Sequence, residues 1–533
     1  MVIPLRPSVR DSLYLVLVTL IAAAPYLGGL GFSSDDWSFL SDFVLSRDQS
    51  FVGLVRSLAP EGSIASRPLQ AAQLVALYQA FGLRPLGYHL YNAGLFALAA
   101  VLLMLVLRDL RFPRALAVAV PSLYVVLPHY STARFWYANF QAGLSTVLYL
   151  LGLYAGLRAV RATRPTGWSV LSVVSVAASV LAYELVLPLA LLHPFLLRRH
   201  ATRPRPLVGW ATWAAVGAVT AFKMLTTARI NPRHSLADVT GLMHQALQIN
   251  LKTYGFRAPG LVWDTLRHPP GPAAIVAASV LGLLSVIYLR SLVRSDRGVL
   301  DSLRPAAALC LAGLLVAAAG YAIFLTTGIS LDATGSNNRS AVIAAAGIAL
   351  AAVGALAALA TRLPPAARPL GFAVPVALAV FGASLLSLRL ADYWVRASRE
   401  AGAIVTTLTR TFPRLPPGST IILDGFCRYV GPAVVFDASW DLQGALRLAY
   451  RDPDMLADVV SPDVKVAEDG VHTVVYGAET IYPYRRLLVF NFRHGVGVAL
   501  PNAEEARRYF DRYNPDYSNG CPPGRAGHGV EVF

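Results

Sequence analysis

Two adjacent carboxylates follow the first apolar run of the chain, in the segment Gly31-Phe32-Ser33-Ser34-Asp35-Asp36-Trp37. A carboxylate where a helix leaves a membrane can act as general base on a hydroxyl. Its hard oxygens also suit a divalent cation such as Mg2+ or Mn2+. No set of carboxylates with metal-ligand spacing accompanies the pair, so no metal ligand is assigned. The blander reading is a solvated helix end beside an interfacial Trp37. Further polar residues gather at the ends of later apolar runs. His89 and Asn92 open the second run, Pro128-His129 closes the third with Arg134 and Trp136 just behind, and Glu184 stands alone between two short runs. Arg67, Arg84, Arg134, Arg257 and Arg339 are cations able to clamp a phosphate. Arg67 and Arg84 would equally bind lipid headgroups, and Lys223, at the end of its run, has the reach to snorkel.

Long apolar elements must position these groups. The chain has 533 residues, 55% of them hydrophobic and only 14% charged, where soluble domains carry about 25% charged residues. Its mean hydropathy is +0.52. These values exclude a soluble globular enzyme, a disordered chain and a fibrous repeat, and three cysteines exclude a disulfide-built scaffold. A bilayer core takes about 20 apolar residues of helix. Such runs lie near 12–30, 86–107, 114–128, 138–157, 168–183, 185–197, 207–226, 273–289, 305–327, 341–361 and 370–390, which makes about eleven spans. The pair 168–183 and 185–197 is short and barely separated.

Arginines orient the spans. Arg6 and Arg10, Arg108 to Arg114, Arg158 to Arg164, Arg198 to Arg205, Arg290 to Arg304, and Arg362 with Arg368 occupy every second connection. One topology puts all six segments in the cytoplasm, with the N-terminus inside and the C-terminal segment outside. The net charge of +16 is thereby dispersed over separate loops, which excludes nucleic acid as a partner. Of the outward loops, 31–85 is acidic, with Asp42, Asp48 and Glu61 besides the pair, and its 69–83 stretch reads as a helix lying at the interface. The loop 227–272 carries Arg229, Arg233, His234, His244, Lys252, Arg257 and Arg267 among Tyr254, Phe256 and Trp263. From about 391 the apolar runs shrink to strand length, at Ser419–Leu423, Thr473–Tyr476 and Leu487–Phe492, with helical patterns at 441–450 and 503–513. The expected organisation is a polytopic α-helical membrane unit (1–390) and a small α/β extracytoplasmic domain (391–533). An oxidising compartment would permit a disulfide between Cys427 and Cys521.

Taken in order, Asp-Asp-Trp after the first span, Arg67-Pro68-Leu69, the stretch from Phe81-Gly82-Leu83 through Gly87-Tyr88-His89 to Asn92, Pro128-His129 and Glu184 before a Pro-containing span resemble the GT-C superfamily of membrane glycosyltransferases. The likeness is to bacterial relatives of the protein O-mannosyltransferases and of the transmembrane, tetratricopeptide-repeat mannosyltransferases. It covers residues 12–200 well and the later spans in number and pattern. Tyr183-Glu184 stands where the family has Lys-Glu, and Tyr130 and Ser131 stand where it has Glu after Pro-His. The resemblance implies a polyprenyl-phosphate-linked sugar donor in the membrane lipids and a glycan or protein hydroxyl as acceptor. It puts the catalytic base or metal ligand on Asp35 or Asp36, and implies residence in a bacterial plasma membrane. Two further readings are a non-enzymatic lipid-linked-glycan transporter or envelope scaffold, and an oligosaccharide polymerase or ligase using a lipid pyrophosphate. A transporter should carry charges near mid-membrane. Here the polar clusters sit at span ends.

Overall fold

The computed structural model describes residues 7–58, 62–201, 206–226, 235–296, 298, 300–327, 329–475, 477–518 and 520–521. The first apolar run forms α1 (Pro7–Leu27), and the loop after it folds into α2 (Asp35–Leu45) and α3 (Pro68–Phe81) with shorter turns between. Then come α4 (Pro85–Asp109), α5 (Arg114–Tyr124), α6 (Phe140–Ala159), α7 (Thr166–Ala182), α8 (Leu187–His200) and α9 (Pro206–Thr226). The second long loop holds α10 (Leu236–Leu247), a π-helix (Gln248–Phe256) and α11 (Ala258–Arg267). The bundle closes with α12 (Pro272–Ser295), α13 (Leu303–Tyr321), α14 (Val342–Thr361) and α15 (Arg368–Thr411).

All eleven expected apolar runs are helical. Among the described residues, eight helices are long and apolar enough to cross a membrane: α1, α4, α6, α9 and α12 to α15. α5, α7 and α8 are shorter, at 11, 17 and 14 residues. The composition change at 391 falls inside α15, which runs on to Thr411. Its 44 residues span about 66 Å at the α-helical rise, twice a bilayer core of about 30 Å. The charged second half of α15 therefore rises above the bundle as a stalk.

Helices have no hydrophobic drive to associate inside lipid, so close backbone approach through small residues does that work. α13 and α14 show it most clearly. Gly313 and Gly320 face α14, and Gly347 and Gly354 face α13, each pair seven residues apart. A Cβ on Gly313 would lie 2.2 Å from Ala351 N, and one on Gly347 would lie 2.2 Å from Ala317 N. At the bundle end remote from the C-terminal domain, a buried Asp11 staples four helices. It accepts from Arg114 Nε (2.9 Å) and Nη2 (2.8 Å), from Arg108 Nη1 (3.3 Å) and from the Tyr288 hydroxyl (2.7 Å). Arginines read as orientation signals thus also close a buried ion cluster.

The C-terminal domain contains β1 (Thr420–Asp424), β2 (Tyr429–Val430), β3 (Ala433–Val434), α16 (Ser439–Tyr450), β4 (Leu456–Val459), β5 (Lys465–Val466), β6 (Val471–Val475), β7 (Ala478–Tyr482), β8 (Leu487–Asn491), β9 (Val496–Ala499) and α17 (Ala503–Tyr513). The main sheet has the order β4-β1-β8-β9, with β1 parallel to both neighbours and β9 antiparallel. A central parallel strand is covered on both faces, which is why β1 reads as an unbroken buried run. The expected strands and helices fall within two residues of these elements. Cys427 and Cys521 are joined in a disulfide.

The domain is not a loose appendage. One hydrophobic core joins Phe39, Leu40 and Phe43 of α2 and Tyr88 of α4 to Trp394 and Ile404 of α15, Ile421 of β1 and Leu442 and Leu446 of α16. α16 lies directly on α2, because a Cβ at Gly444 would meet the Trp37 carbonyl carbon at 2.5 Å.

A branched side chain at position 347 forces α13 and α14 apart, at a cost of roughly 1–3 kcal/mol. Gly347→Val is expected to lower the thermal unfolding midpoint in detergent. Gly94→Ala, whose new Cβ meets nothing within 4 Å, does not lower it, since Ala is the better helix former. Equal midpoints for the two variants would refute the close packing.

Candidate active site

The chain between α1 and α2 is held at three points. Gly31 O lies 3.2 Å from His89 Nε2, and Gly31 N donates to Ser398 Oγ of α15 (3.2 Å). Phe32 sits edge-on to Trp37, Tyr88 and Tyr137, with centroids 5.8, 5.4 and 6.3 Å away. Asp36 then closes the bracket. Its Oδ2 accepts from Ser33 N (2.9 Å) and its Oδ1 from Ala138 N (2.8 Å). Between these clamps Ser34 has φ 50° and ψ −126°, a conformation that L-residues rarely adopt and that is often kept where function needs it.

The two carboxylates are therefore unlike each other. Asp36 is 0% exposed. Burial raises its pKa well above the usual carboxylate range, against the N–H groups of Ser33 and Ala138, which pull it down. Asp35 is half-buried as the first residue of α2, with the Ser34 hydroxyl 3.4 Å from Oδ1.

Glu184, expected as a lone acid, is not alone. It occupies the turn between α7 and α8 and receives the Arg67 guanidinium on both oxygens, with Nε 3.2 Å from Oε2. Lys223 Nζ from the end of α9 lies 3.1 Å from Oε2, and Arg67 also covers the Tyr183 ring at 4.6 Å. Burial alone would raise the Glu184 pKa, but Arg67 and Lys223 overcome it and hold the carboxyl down at about 2. This cluster is tied to the aspartate loop through α3. Gln70, three residues after Arg67, donates to Ala138 O (3.1 Å), and Ala138 N is the group that Asp36 accepts from. Arg67 and the glutamine that holds the peptide anchoring Asp36 thus leave the same first turn of α3, three residues apart.

Most of the remaining candidates serve the irregular segment 125–139 between α5 and α6. Asn92 donates to Ala133 O (3.0 Å) and Arg134 O (3.2 Å). Asn338 accepts from Thr132 N (3.2 Å) and donates to Ser131 Oγ (3.0 Å). Arg134 is buried, donates to Leu127 O (2.8 Å) and Ser387 Oγ (3.2 Å), and lies 4.3 Å from the Tyr130 ring. Its contacts are those of a packing element. Arg339 covers Trp136 at 5.0 Å and donates to Ser336 O (2.9 Å). His129 is buried with its ring 4.3 Å from Tyr254. Arg84 is exposed at the start of α4, and Arg257 is half-buried after the π-helix. Glu61, Arg229, Arg233 and His234 lie outside the described residues.

The sequence reading treated Lys223 as a snorkelling cation and missed its bond to Glu184. The only signal was a charge near a span end. It also missed Gln70 as the link between the two clusters. Among the described residues, no group of three or more His, Cys, Asp or Glu could hold a metal ion. Asp36, the better buried candidate ligand, already spends both oxygens on backbone N–H groups. The described residues do not compose a divalent-cation site.

Two measurements test this geometry. The Glu184 carboxyl has a folded pKa (about 2) below its ordinary 4.5, so its pairing adds stability above pH 4.5 and loses it as pH falls toward 2. The difference in unfolding midpoint between wild type and Glu184→Gln is expected to be constant from pH 7 to 5 and to shrink from pH 4.5 downward. A difference that persists at pH 2 excludes the ion cluster as its source. Gly444→Val pushes α16 off Trp37, and amide hydrogen exchange across 35–45 is expected to accelerate. Unchanged protection would show that α2 holds its place without the C-terminal domain.

No family model matches the chain, and no curated protein matches it. Among the solved structures similar to it are two of one protein. One is ArnT from Cupriavidus metallidurans in the apo state, at 15% identity over 83% of this chain and 84% of that chain, with a TM-score of 0.37. The other is the same protein bound to undecaprenyl phosphate, at 17% identity over 83% of this chain and 85% of that chain, again with a TM-score of 0.37. A likeness this loose assigns no residue, ligand or activity to the present chain.

Proposed function

We propose that this polytopic protein is a membrane glycosyltransferase of the GT-C type. It moves one sugar from a polyprenyl-phosphate donor to a hydroxyl of a cell-envelope acceptor. The reaction runs on the face of a bacterial plasma membrane that carries the C-terminal domain, with the N-terminus in the cytoplasm as the arginine pattern indicates. The observation that carries the reading is the division of labour in the aspartate pair. Asp36 is locked as a bracket on Ala138 N, the same peptide whose oxygen is held by Gln70, three residues after Arg67 of the two-cation cluster, while Asp35 stands half-exposed.

The chemistry then follows. Asp35 removes the acceptor proton as the oxygen attacks the anomeric carbon. The bond from that carbon to the phosphate oxygen breaks on the opposite face, so the configuration inverts. The leaving polyprenyl phosphate gains negative charge, which Arg67 and Lys223 stabilise. Glu184 holds both cations in position. The exposed apolar flanks of the spans, such as Leu311, Leu314 and Leu315 of α13, face the lipid in which a prenyl tail is soluble. Arg84, Arg257 and Arg339 are secondary candidates for donor contacts. Arg134, with its carbonyl, hydroxyl and ring contacts, is assigned to the fold.

The test separates the two aspartates. Purified protein in liposomes is given radiolabelled polyprenyl-phosphate sugars, one sugar at a time. Asp35→Asn is expected to lose roughly 10²–10⁴-fold in turnover, the usual worth of a general base, with its unfolding midpoint unchanged. Asp36→Ala is expected to lose stability, about 1–3 kcal/mol for a buried N–H left unpaired. If Asp35→Asn keeps full turnover, the base assignment is wrong.

A further inference from the structure

We propose that residues 236–256, α10 with the π-helix that continues it, form an arm lying in the membrane interface at the domain-side end of the bundle. The occupant of its exposed face is the bilayer itself. This inference concerns where the arm rests and does not depend on the transfer reaction.

The inner face of the arm is well fixed. Ile249 and Thr253 are buried. Asn250 Nδ2 donates to the hydroxyl of Tyr321, the last residue of α13 (2.8 Å). The Tyr254 hydroxyl donates to Ala333 O (2.7 Å), and its ring packs on His129. The arm is thus seated at the level where α13 ends.

The exposed half is divided lengthwise into two stripes. Met243, Leu247 and Leu251 recur every four residues, at 60%, 55% and 54% exposure, and Phe256 follows at 86%. A π-helix, with i→i+5 bonds, takes more residues per turn than the 3.6 of an α-helix, so Phe256, five residues on, stays near the line of Leu251. Beside them His244, Gln248 and Lys252 recur every four residues, also exposed, and Gln248 Nε2 lies 2.8 Å from His244 Nε2. A helix facing water has no use for the first stripe, and one covered by another protein has little use for the second. An apolar stripe alongside a polar, partly basic one is the pattern of a helix lying at the boundary between acyl chains and headgroups. Surroundings agree: below Tyr321, α13 presents Leu311, Leu314 and Leu315 at 58–62% exposure, so the arm is seated at the end of a helix that itself exposes apolar side chains. Lys252 is placed to meet the negative headgroups that such surfaces carry.

Single spin labels decide the matter. Met243→Cys, Leu247→Cys, Leu251→Cys, Gln245→Cys and Gln248→Cys are each made in the full chain carrying Cys310→Ala. Each is labelled and reconstituted in phosphatidylethanolamine/phosphatidylglycerol liposomes. All five positions are exposed, so the labels do not disturb the core. The ratio of oxygen to nickel-chelate collision rates is expected to be severalfold higher at 243, 247 and 251 than at 245 and 248. Equal, chelate-dominated ratios at all five positions would overturn the proposal by putting the arm in water. Low collision rates with both reagents at 243, 247 and 251 would overturn it by putting another protein surface there.

Discussion

The constraint that organises this molecule is the backbone between α5 and α6. Residues 125–139 fold as short turns at the end of a membrane bundle, and nearly all of them are buried. Non-helical backbone at that depth must find its hydrogen-bond partners within the protein, and a group left unpaired costs about 1–3 kcal/mol. The partners come from four separate elements and from the segment itself. Asp36 takes Ala138 N, Gln70 reaches Ala138 O, Asn92 reaches the carbonyls of 133 and 134, Asn338 takes Thr132 N, and Arg134 turns back on Leu127 O. These bonds fix the loop of Asp35, the helix of Arg67 and the start of α4 in one frame. What looks from the chain like a scatter of chemically interesting polar residues is largely the price of one irregular segment.

That is also why the sequence yields its elements more readily than its site. Apolar runs are local, so all eleven helices are visible, as are the strands and the two helices of the C-terminal domain. The role of Asp36 is not local, because its partner Ala138 is 102 residues away and adjacent aspartates point in different directions. The Arg67 to Glu184 bond spans 117 residues, so neither side chain announces the other. A position three residues beyond Arg67 carries the connecting amide, and glutamine in an apolar helix gives no hint of which peptide it serves. The end of the last span is hidden for a different reason. Composition changes near 391 because α15 leaves the lipid, while the helix itself continues for another 20 residues.

The stalk and the domain above it complete the frame from the other side. α2 is buried by α4 and the 135–140 segment on one face and by α16 on the other, with Gly444 allowing direct contact between backbones. Ser398 of α15 reaches the same loop at Gly31. The helix that begins with Asp35 is thus held by the domain as much as by the bundle. Rigid support of this kind is what the proposed role of Asp35 as base requires, since a general base must meet its acceptor in a defined direction.

The charge balance at Glu184 bears on what the site holds. Two cations share one carboxylate, which leaves one positive charge without a counter-charge among the described residues. Arg67, Glu184 and Lys223 are all mostly buried, where desolvation of an ion costs several kcal/mol unless it is compensated. A second acid in the cluster would remove that cost, and none is present among the described residues. The leaving phosphate of the proposed transfer would supply the missing negative charge. In its absence Glu184 keeps the two cations from repelling each other. Asp11 joins two arginines in the same way at the opposite end of the bundle, so what sets the Glu184 cluster apart is its place on the side of the proposed transfer rather than its charge count.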